Sequence, residues 1–289
     1  MARAIAETIL EGAHRLRQAG VPEARREAGS LVAHVLGRDR SFILSHADDP
    51  IDEQQAERFR QYLERRVQRE PLQYITGHQE FFGLDFEVTK DVLIPRPETE
   101  LLIETALKLI DRSAELFICD VGTGSGCIVI TLLHELQQAR AIALDISPGA
   151  LLIAQRNAAR HRVIERVEFL RSDCFAGLSL RESGQSSFDL ITSNPPYVEE
   201  SAIAGLQSEV RDFEPRIALA AGADGLEIIR RLLFEAPGYL KTDGYFLFEI
   251  GFNQAEAVMQ LLDPKIWNLI DIFRDLQGLP RTVALQKRS

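Results

Sequence analysis

Asp120-Val121-Gly122-Thr123-Gly124-Ser125-Gly126 is the stretch whose reading decides the fold. An apolar run over residues 116–121 leads into it, and a second apolar run starts at Cys127. The pattern is strand, Gly-rich turn, helix. Three alternate glycines let the backbone pass close to a bound ligand, and the helix N-terminus turns free N–H groups toward it. Downstream the same alternation repeats. Strands are predicted over residues 141–145, 167–171, 189–193 and 245–250, and helices over 127–136, 148–161, 226–240 and 254–262. Residues 267–274 and 281–286 read as two last strands that close the sheet. Repeated βα units mean an α/β fold of Rossmann-like type, a mostly parallel sheet with helices on both faces.

An acid stands at each of three successive strand ends. Asp145 lies about 20 residues beyond the Gly-rich turn, where a carboxylate reaches a ribose diol. Asp173 follows the third strand and is placed to accept from an adenine amino group, with Cys174 and Phe175 beside the ring. Asp120 precedes the loop and is placed to hold an ammonium. The spacing is G-x-G-x-G, and Cys127 occupies the sixth position of the dinucleotide fingerprint G-x-G-x-x-G. Together these features favour S-adenosylmethionine over a nicotinamide dinucleotide. The expected donor-binding residues are Asp120, Gly122, Thr123, Gly124, Ser125, Gly126, Asp145, Asp173, Cys174 and Asn194.

The run over residues 188–193 ends in Asn194-Pro195-Pro196-Tyr197. Such a tetrad is a tight turn, since Asn-Pro and Pro-Pro are common turn dipeptides. It also suits a planar nitrogen. Asn194 offers a side-chain carbonyl, Pro195 restricts the backbone and leaves its own carbonyl free, and Tyr197 offers a flat face. Asn194, Pro195 and Tyr197 are the expected catalytic residues, and Pro196 joins them in substrate binding.

The rest of the chain sets the context. Residues 1–70 read as helices only, a small bundle with 12 Arg, no Lys and 12 Asp or Glu. The remaining residues carry 21 basic and 31 acidic side chains, which accounts for the formal net charge of −10. No global positive field attracts nucleic-acid phosphates. No apolar run reaches the length of a membrane span, and no apolar leader is read at the N-terminus. Cys119, Cys127 and Cys174 form no Cys-x-x-Cys pair and are expected as thiols in a reducing cytoplasm. The six histidines are scattered, and no metal site is predicted. Residues 71–95 read as a β-hairpin linker, with residues 74–77, 81–83 and 84–88 as short strands with turns. Ile94-Pro95-Arg96-Pro97-Glu98-Thr99-Glu100 then opens an apolar helix, with Pro97 at its start and Glu98 and Glu100 in the first turn, where carboxylates oppose the helix dipole.

These motifs together resemble the PrmC/HemK-type release factor glutamine methyltransferases over nearly the full length. The segments that carry the resemblance are the helical N-terminal domain, the hairpin, Pro95-Arg96-Pro97-Glu98-Thr99-Glu100, the Gly-rich loop, Asn194-Pro195-Pro196-Tyr197 and Phe213-Glu214-Pro215. Cys174 departs from the aromatic residue that some members have there. The resemblance implies a class I methyltransferase sheet over residues 96–289 and an N-terminal substrate-docking bundle over 1–70. It also implies a monomeric cytoplasmic enzyme that moves a methyl group from S-adenosylmethionine to a glutamine amide nitrogen. That glutamine lies in the Gly-Gly-Gln loop of class I peptide chain release factors. The tetrad alone is shared with DNA adenine and RNA guanine amino-methyltransferases, and a non-catalytic S-adenosylmethionine-binding regulator is a further alternative.

Overall fold

A computed structural model describes residues 3–178 and 188–289. The chain divides into two compact units, one of Met1–His78 with Gln207–Phe213, the other of Gln79–Leu206 with Glu214–Ser289.

In the first unit, helices Ile5–Gln18, Ala24–Leu36 and Glu53–Val67 enclose an apolar core that includes Leu16, Leu31, Val32, Phe59 and Leu63. Asp52 caps the third of these by accepting from Gln55 N at 2.7 Å, and the Gln55 side chain caps back in return. Gly37 (φ +62°) ends the second in the left-handed region, where a residue without Cβ is unstrained. A fourth helix, Arg40–Ser45, leaves no mark in the sequence because six residues are too few to show a period. Arginine is mostly a surface residue, but Arg66 of this bundle is only 4% exposed. It pairs with Glu27 and Glu209, and Arg69 donates to Glu209 at 2.8 Å. The segment around residue 209 thus belongs to a unit that its place in the sequence does not suggest.

In the second unit the central sheet comprises β1 (Phe117–Val121), β2 (Arg140–Asp145), β3 (Val167–Arg171), β4 (Phe188–Ser193), β5 (Leu240–Glu249), β6 (Trp267–Arg274) and β7 (Pro280–Lys287). The order across the sheet is β6-β7-β5-β4-β1-β2-β3. The first five run parallel, and β7 lies antiparallel between β5 and β6. This is the class I methyltransferase sheet. After β1 the chain first builds outward through β2 and β3, then crosses to β4. The order therefore reverses between β1 and β4, and a ligand crevice opens at their carboxyl ends.

Three local expectations need correction. Residues 74–76 are not a strand but the end of a short helix, Leu72–Thr76, which Pro71 starts and Gly77 (φ +80°) stops. The hairpin proper is His78–Phe81 with Leu84–Glu87, turned by Phe82 and Gly83, both at positive φ as a tight hairpin turn requires. The helix expected over 226–240 ends at Glu235, because Pro237 has no N–H to continue it. Strand β5 accordingly begins at Leu240, earlier than its apolar residues indicate, with a register shift where Leu240 and Tyr245 pair with β4.

Candidate active site

The crevice is an open cavity lined by Gly122, Thr123, Gly124, Ser125, Asp145, Asp173, Cys174, Asn194, Pro195 and Pro196, with Pro95, Arg96 and Thr99 from the Pro-Arg-Pro-Glu-Thr segment. Residues from five separate stretches of sequence meet here. The Gly-rich loop is held by its backbone. Gly122 N and Thr123 N donate to Leu144 O at 2.8 and 2.9 Å, and Gly124 N donates to Asp145 Oδ2 at 2.8 Å. Gly122 (φ +73°) and Gly124 (φ +56°) sit in the left-handed region, and a Cβ on either would meet no protein atom within 4 Å. That open space is a cradle for a ligand's backbone-facing edge. Thr123 Oγ1 and Ser125 Oγ are buried and find no protein hydrogen-bond partner. Polar groups left in this way call for a polar ligand. These features fit the charged amino-acid end of S-adenosylmethionine.

Gly126 does not line the cavity. A Cβ there would come within 2.6 Å of Ile130 Cδ1 and 3.2 Å of Ala154 Cβ, so this glycine permits close helix packing rather than ligand contact. Asp120 is also absent from the lining. Its side chain is fully buried, and its Oδ1 accepts from Thr192 Oγ1 at 2.8 Å, tying β1 to β4 below the crevice. The expectation that it meets an ammonium directly is therefore not met. Burial raises the pKa of its carboxyl to about 6, against the Thr192 hydroxyl. An acid whose folded-state pKa is raised stabilises the fold below its unfolded value near 4, and that contribution is lost as pH rises through 6. Asp120→Asn keeps the acceptor oxygen and removes the charge. Relative to the unsubstituted protein, the variant should gain about 2 kcal/mol between pH 4 and pH 7, because each tenfold change in a protonation equilibrium is worth about 1.4 kcal/mol. Urea denaturation at both pH values reads this, and a difference that does not change with pH would contradict it.

Asp145 ends β2 and lines the cavity. Its Oδ1 accepts from Ser147 N at 2.9 Å, and Ser147 caps the following helix, Pro148–Arg160. The carboxylate therefore orders both the loop and the helix start while remaining in the cavity wall. Burial raises its pKa, and the backbone N–H groups of Ser147, Gly124 and Ile146 oppose that rise. Asp173 also lines the cavity, but Arg231 NH1 donates to its Oδ1 at 2.6 Å and Arg231 NH2 to its carbonyl at 2.9 Å. One carboxylate oxygen remains for a ligand. Cys174 lines the cavity at φ +47°, and burial pushes its thiol up to about 11, so it presents a neutral sulfur. Phe175, expected beside the adenine, is fully buried instead and stacks on Tyr239 with ring centroids 4.9 Å apart. The apolar wall is made by Ile146, Ala150, Ile228 and Leu232, which the sequence did not single out.

At the other end, Asn194 Nδ2 donates to Thr99 Oγ1 at 3.1 Å. Tyr197 does not line the cavity. Its hydroxyl donates to Glu249 Oε1 at 2.9 Å, and its ring packs on the apolar cluster beneath β4 and β5. Burial, with the Glu249 charge, raises its pKa. Glu214 explains two motifs at once. Its Oε2 accepts from Ile94 N at 3.3 Å and its Oε1 pairs with the Arg96 guanidinium, so the Phe-Glu-Pro segment pins the Pro-Arg-Pro segment at the rim. Buried Asn157 binds the loop to the hairpin, donating to Ser125 O at 2.9 Å and Glu87 O at 3.0 Å and accepting from Glu87 N at 2.8 Å. No sequence signal marks Asn157, since it lies inside an ordinary helical stretch. Among the described residues no cluster of metal-ligating side chains occurs, and no helix is long and apolar enough to cross a membrane.

Residues 7–77 match the PrmC N-terminal domain family, and residues 112–265 match a methyltransferase domain family. The chain is 43% identical over 272 residues to the release factor glutamine methyltransferase of Koribacter versatilis, covering 94% of each chain. It is 41% identical over 271 residues to that of Geobacter sulfurreducens, covering 93% of this chain and 92% of the relative. The chain belongs to the release factor glutamine methyltransferase family. A solved methyltransferase from Pyrococcus furiosus shares the fold, with a TM-score of 0.52 and 17% identity over 72% of this chain and 91% of that one.

Proposed function

We propose that this chain transfers a methyl group from S-adenosylmethionine to the side-chain amide nitrogen of the glutamine in the Gly-Gly-Gln loop of peptide chain release factors. The observation that carries the reading is the single cavity into which both the Gly-rich loop and Asn194-Pro195-Pro196 open. Gly122, Gly124, Thr123, Ser125 and Asp145 would hold the donor, with Asp173 and Cys174 at its adenine end. The donor brings its methyl group on a sulfonium, already activated for displacement. The work left to the protein is at the acceptor. An amide nitrogen is a poor nucleophile because its lone pair is delocalised into the carbonyl. Asn194 Oδ1 and Pro195 O accept its two N–H groups and aim the lone pair at the methyl carbon. The nitrogen pair forms the new C–N bond, the C–S pair departs with sulfur as a thioether, and one N–H proton is lost to solvent. Orientation of this kind contributes up to ~7–11 kcal/mol in favourable cases. Incubation with labelled donor and intact release factor, followed by mass spectrometry of the Gly-Gly-Gln peptide, tests the reading. Label on a nucleic acid instead would favour amino-methylation.

The N-terminal bundle is proposed to dock the protein substrate. Helices Ile5–Gln18 and Ala24–Leu36 border a groove with Ile9, Leu10, Ile43 and Leu44 on its apolar side and Arg17, Arg25 and Arg40 around it. Leu10 and Leu44 are 56% and 71% exposed. An apolar floor with guanidinium forks suits a partner that carries both apolar and carboxylate side chains. Leu44→Asp with Arg25→Glu should cut kcat/KM on intact release factor by ~10-fold or more, since one or two lost interface anchors cost over ~1 kcal/mol each. Turnover of a short Gly-Gly-Gln peptide should not change. Equal loss on both substrates would contradict docking.

A further inference from the structure

Behind the Asn-Pro-Pro turn, buried Thr99 and Glu249 form one directed hydrogen-bond chain with the half-buried Asn194. Thr99 Oγ1 lies 2.6 Å from Glu249 Oε2, and Asn194 Nδ2 lies 3.1 Å from the same Thr99 oxygen. Tyr197 OH completes the set at 2.9 Å from Glu249 Oε1. Thr99 and Glu249 are each 1% exposed, so water does not substitute for either partner in the link between them. The three positions come from the start of the helix at Glu100–Leu109, the end of β4 and the last residue of β5.

We infer that Thr99 and Glu249 are positioning residues that set which end of the Asn194 side-chain amide meets the acceptor. The inference rests on the glutamine-methylation reading above. An asparagine amide is nearly symmetric in shape, yet one end accepts hydrogen bonds and the other donates. Only the oxygen can receive an N–H of the acceptor nitrogen. A flipped Asn194 would place its own N–H groups against those of the substrate and turn the nucleophile away. Packing cannot discriminate between the two orientations, because the groups are the same size. A hydrogen-bond chain of fixed polarity can. Two hydroxyl donors and the nearby Arg281 guanidinium favour the ionised form of Glu249, and an ionised carboxylate only accepts, so Thr99 donates its single proton to it. The threonine oxygen then has only lone pairs to offer Asn194, and these select Nδ2. The amide oxygen remains for the acceptor. Tyr197 occupies the second oxygen of Glu249 as a donor and keeps that carboxylate in its accepting role. This also accounts for a charged residue in an apolar core, where burial raises the Glu249 pKa and the Thr99 and Tyr197 hydroxyls oppose the rise.

The test compares Thr99→Val, Thr99→Ser and Glu249→Gln in the full chain, with S-adenosylmethionine as donor and a short Gly-Gly-Gln peptide as acceptor. Valine keeps the shape of threonine and removes the directing oxygen. Its kcat should fall ~10- to 100-fold, the scale of a misoriented reacting group. The dissociation constant for the donor and the peptide KM should stay within about threefold, as expected when an interaction acts on kcat alone. Serine restores the hydroxyl and should return kcat to within about threefold of the unsubstituted protein, since the chain of polarity is intact. Glutamine at 249 is uncharged and similar in size, so it provides a folded variant even if valine at 99 does not. It ends the chain in a group that both donates and accepts, and kcat should again fall several-fold with donor affinity retained. Unchanged kcat in Thr99→Val or in Glu249→Gln would overturn the inference. So would equal loss in the valine and serine variants, or donor affinity falling in step with kcat. No turnover of the peptide or of intact release factor by the unsubstituted protein would overturn the glutamine reading and this inference with it.

Discussion

Replacing Asn194 with alanine should lower kcat on release factor by at least ~100-fold while donor affinity stays within a few-fold, the usual consequence of deleting one preorganised polar group at a reacting centre. The residue lies in the cavity wall and follows β4 directly, where the sheet's switch point opens. Alanine removes the oxygen that accepts from the substrate amide and leaves Pro195 O alone to orient it. One acceptor does not fix a planar nitrogen, because rotation about the remaining hydrogen bond carries the lone pair off the methyl carbon. The loop that holds the donor does not depend on Asn194, since its backbone is tied to Leu144 and Asp145. Turnover should therefore collapse without a matching loss of donor binding. Single-turnover methylation together with calorimetric titration of S-adenosylmethionine separates the two quantities. Turnover within about threefold of the unsubstituted protein would remove Asn194 from the mechanism.

Replacing Asp145 with alanine should act on the other quantity. Its two oxygens accept from Gly124 N and Ser147 N, and both retain lone pairs toward the cavity for a ribose diol. Charge-assisted bonds to the two hydroxyls make a donor affinity loss of ~2–3 kcal/mol the expected result. That corresponds to a dissociation constant raised about 30- to 150-fold, at about 1.4 kcal/mol per factor of ten. The loss has two sources, the missing ribose contacts and the release of Gly124 N–H, whose loss loosens the cradle. Asp145→Asn separates them. An asparagine can still accept one backbone bond, so its affinity should lie between alanine and aspartate. Calorimetry on all three forms measures it, and an unchanged dissociation constant in Asp145→Ala would place the ribose elsewhere.

The α/β architecture, the approximate strands, and the Gly-rich and Asn-Pro-Pro parts of the cavity wall are legible in the sequence. Each of these leaves a local mark. Apolar runs with helical or strand spacing set the elements. Glycine at 122 and 124 marks a backbone at positive φ, and Pro195 and Pro196 mark a backbone that cannot continue a strand. Folding alone sets which polar side chains line the cavity and which hold its wall in place. Asp120, Asp145 and Asp173 each follow or end a strand, yet one is sealed against Thr192, one orders the loop, and one is shared with Arg231. Tyr197 and Phe175 read as ring surfaces for a ligand but point into the protein interior, toward Glu249 and Tyr239. Thr99, Asn157, Glu214 and Glu249 act through partners 32 to 150 residues away. A hydrogen bond between such residues imposes no periodicity on either segment. Its direction is fixed only when folding removes water and leaves each donor a single acceptor.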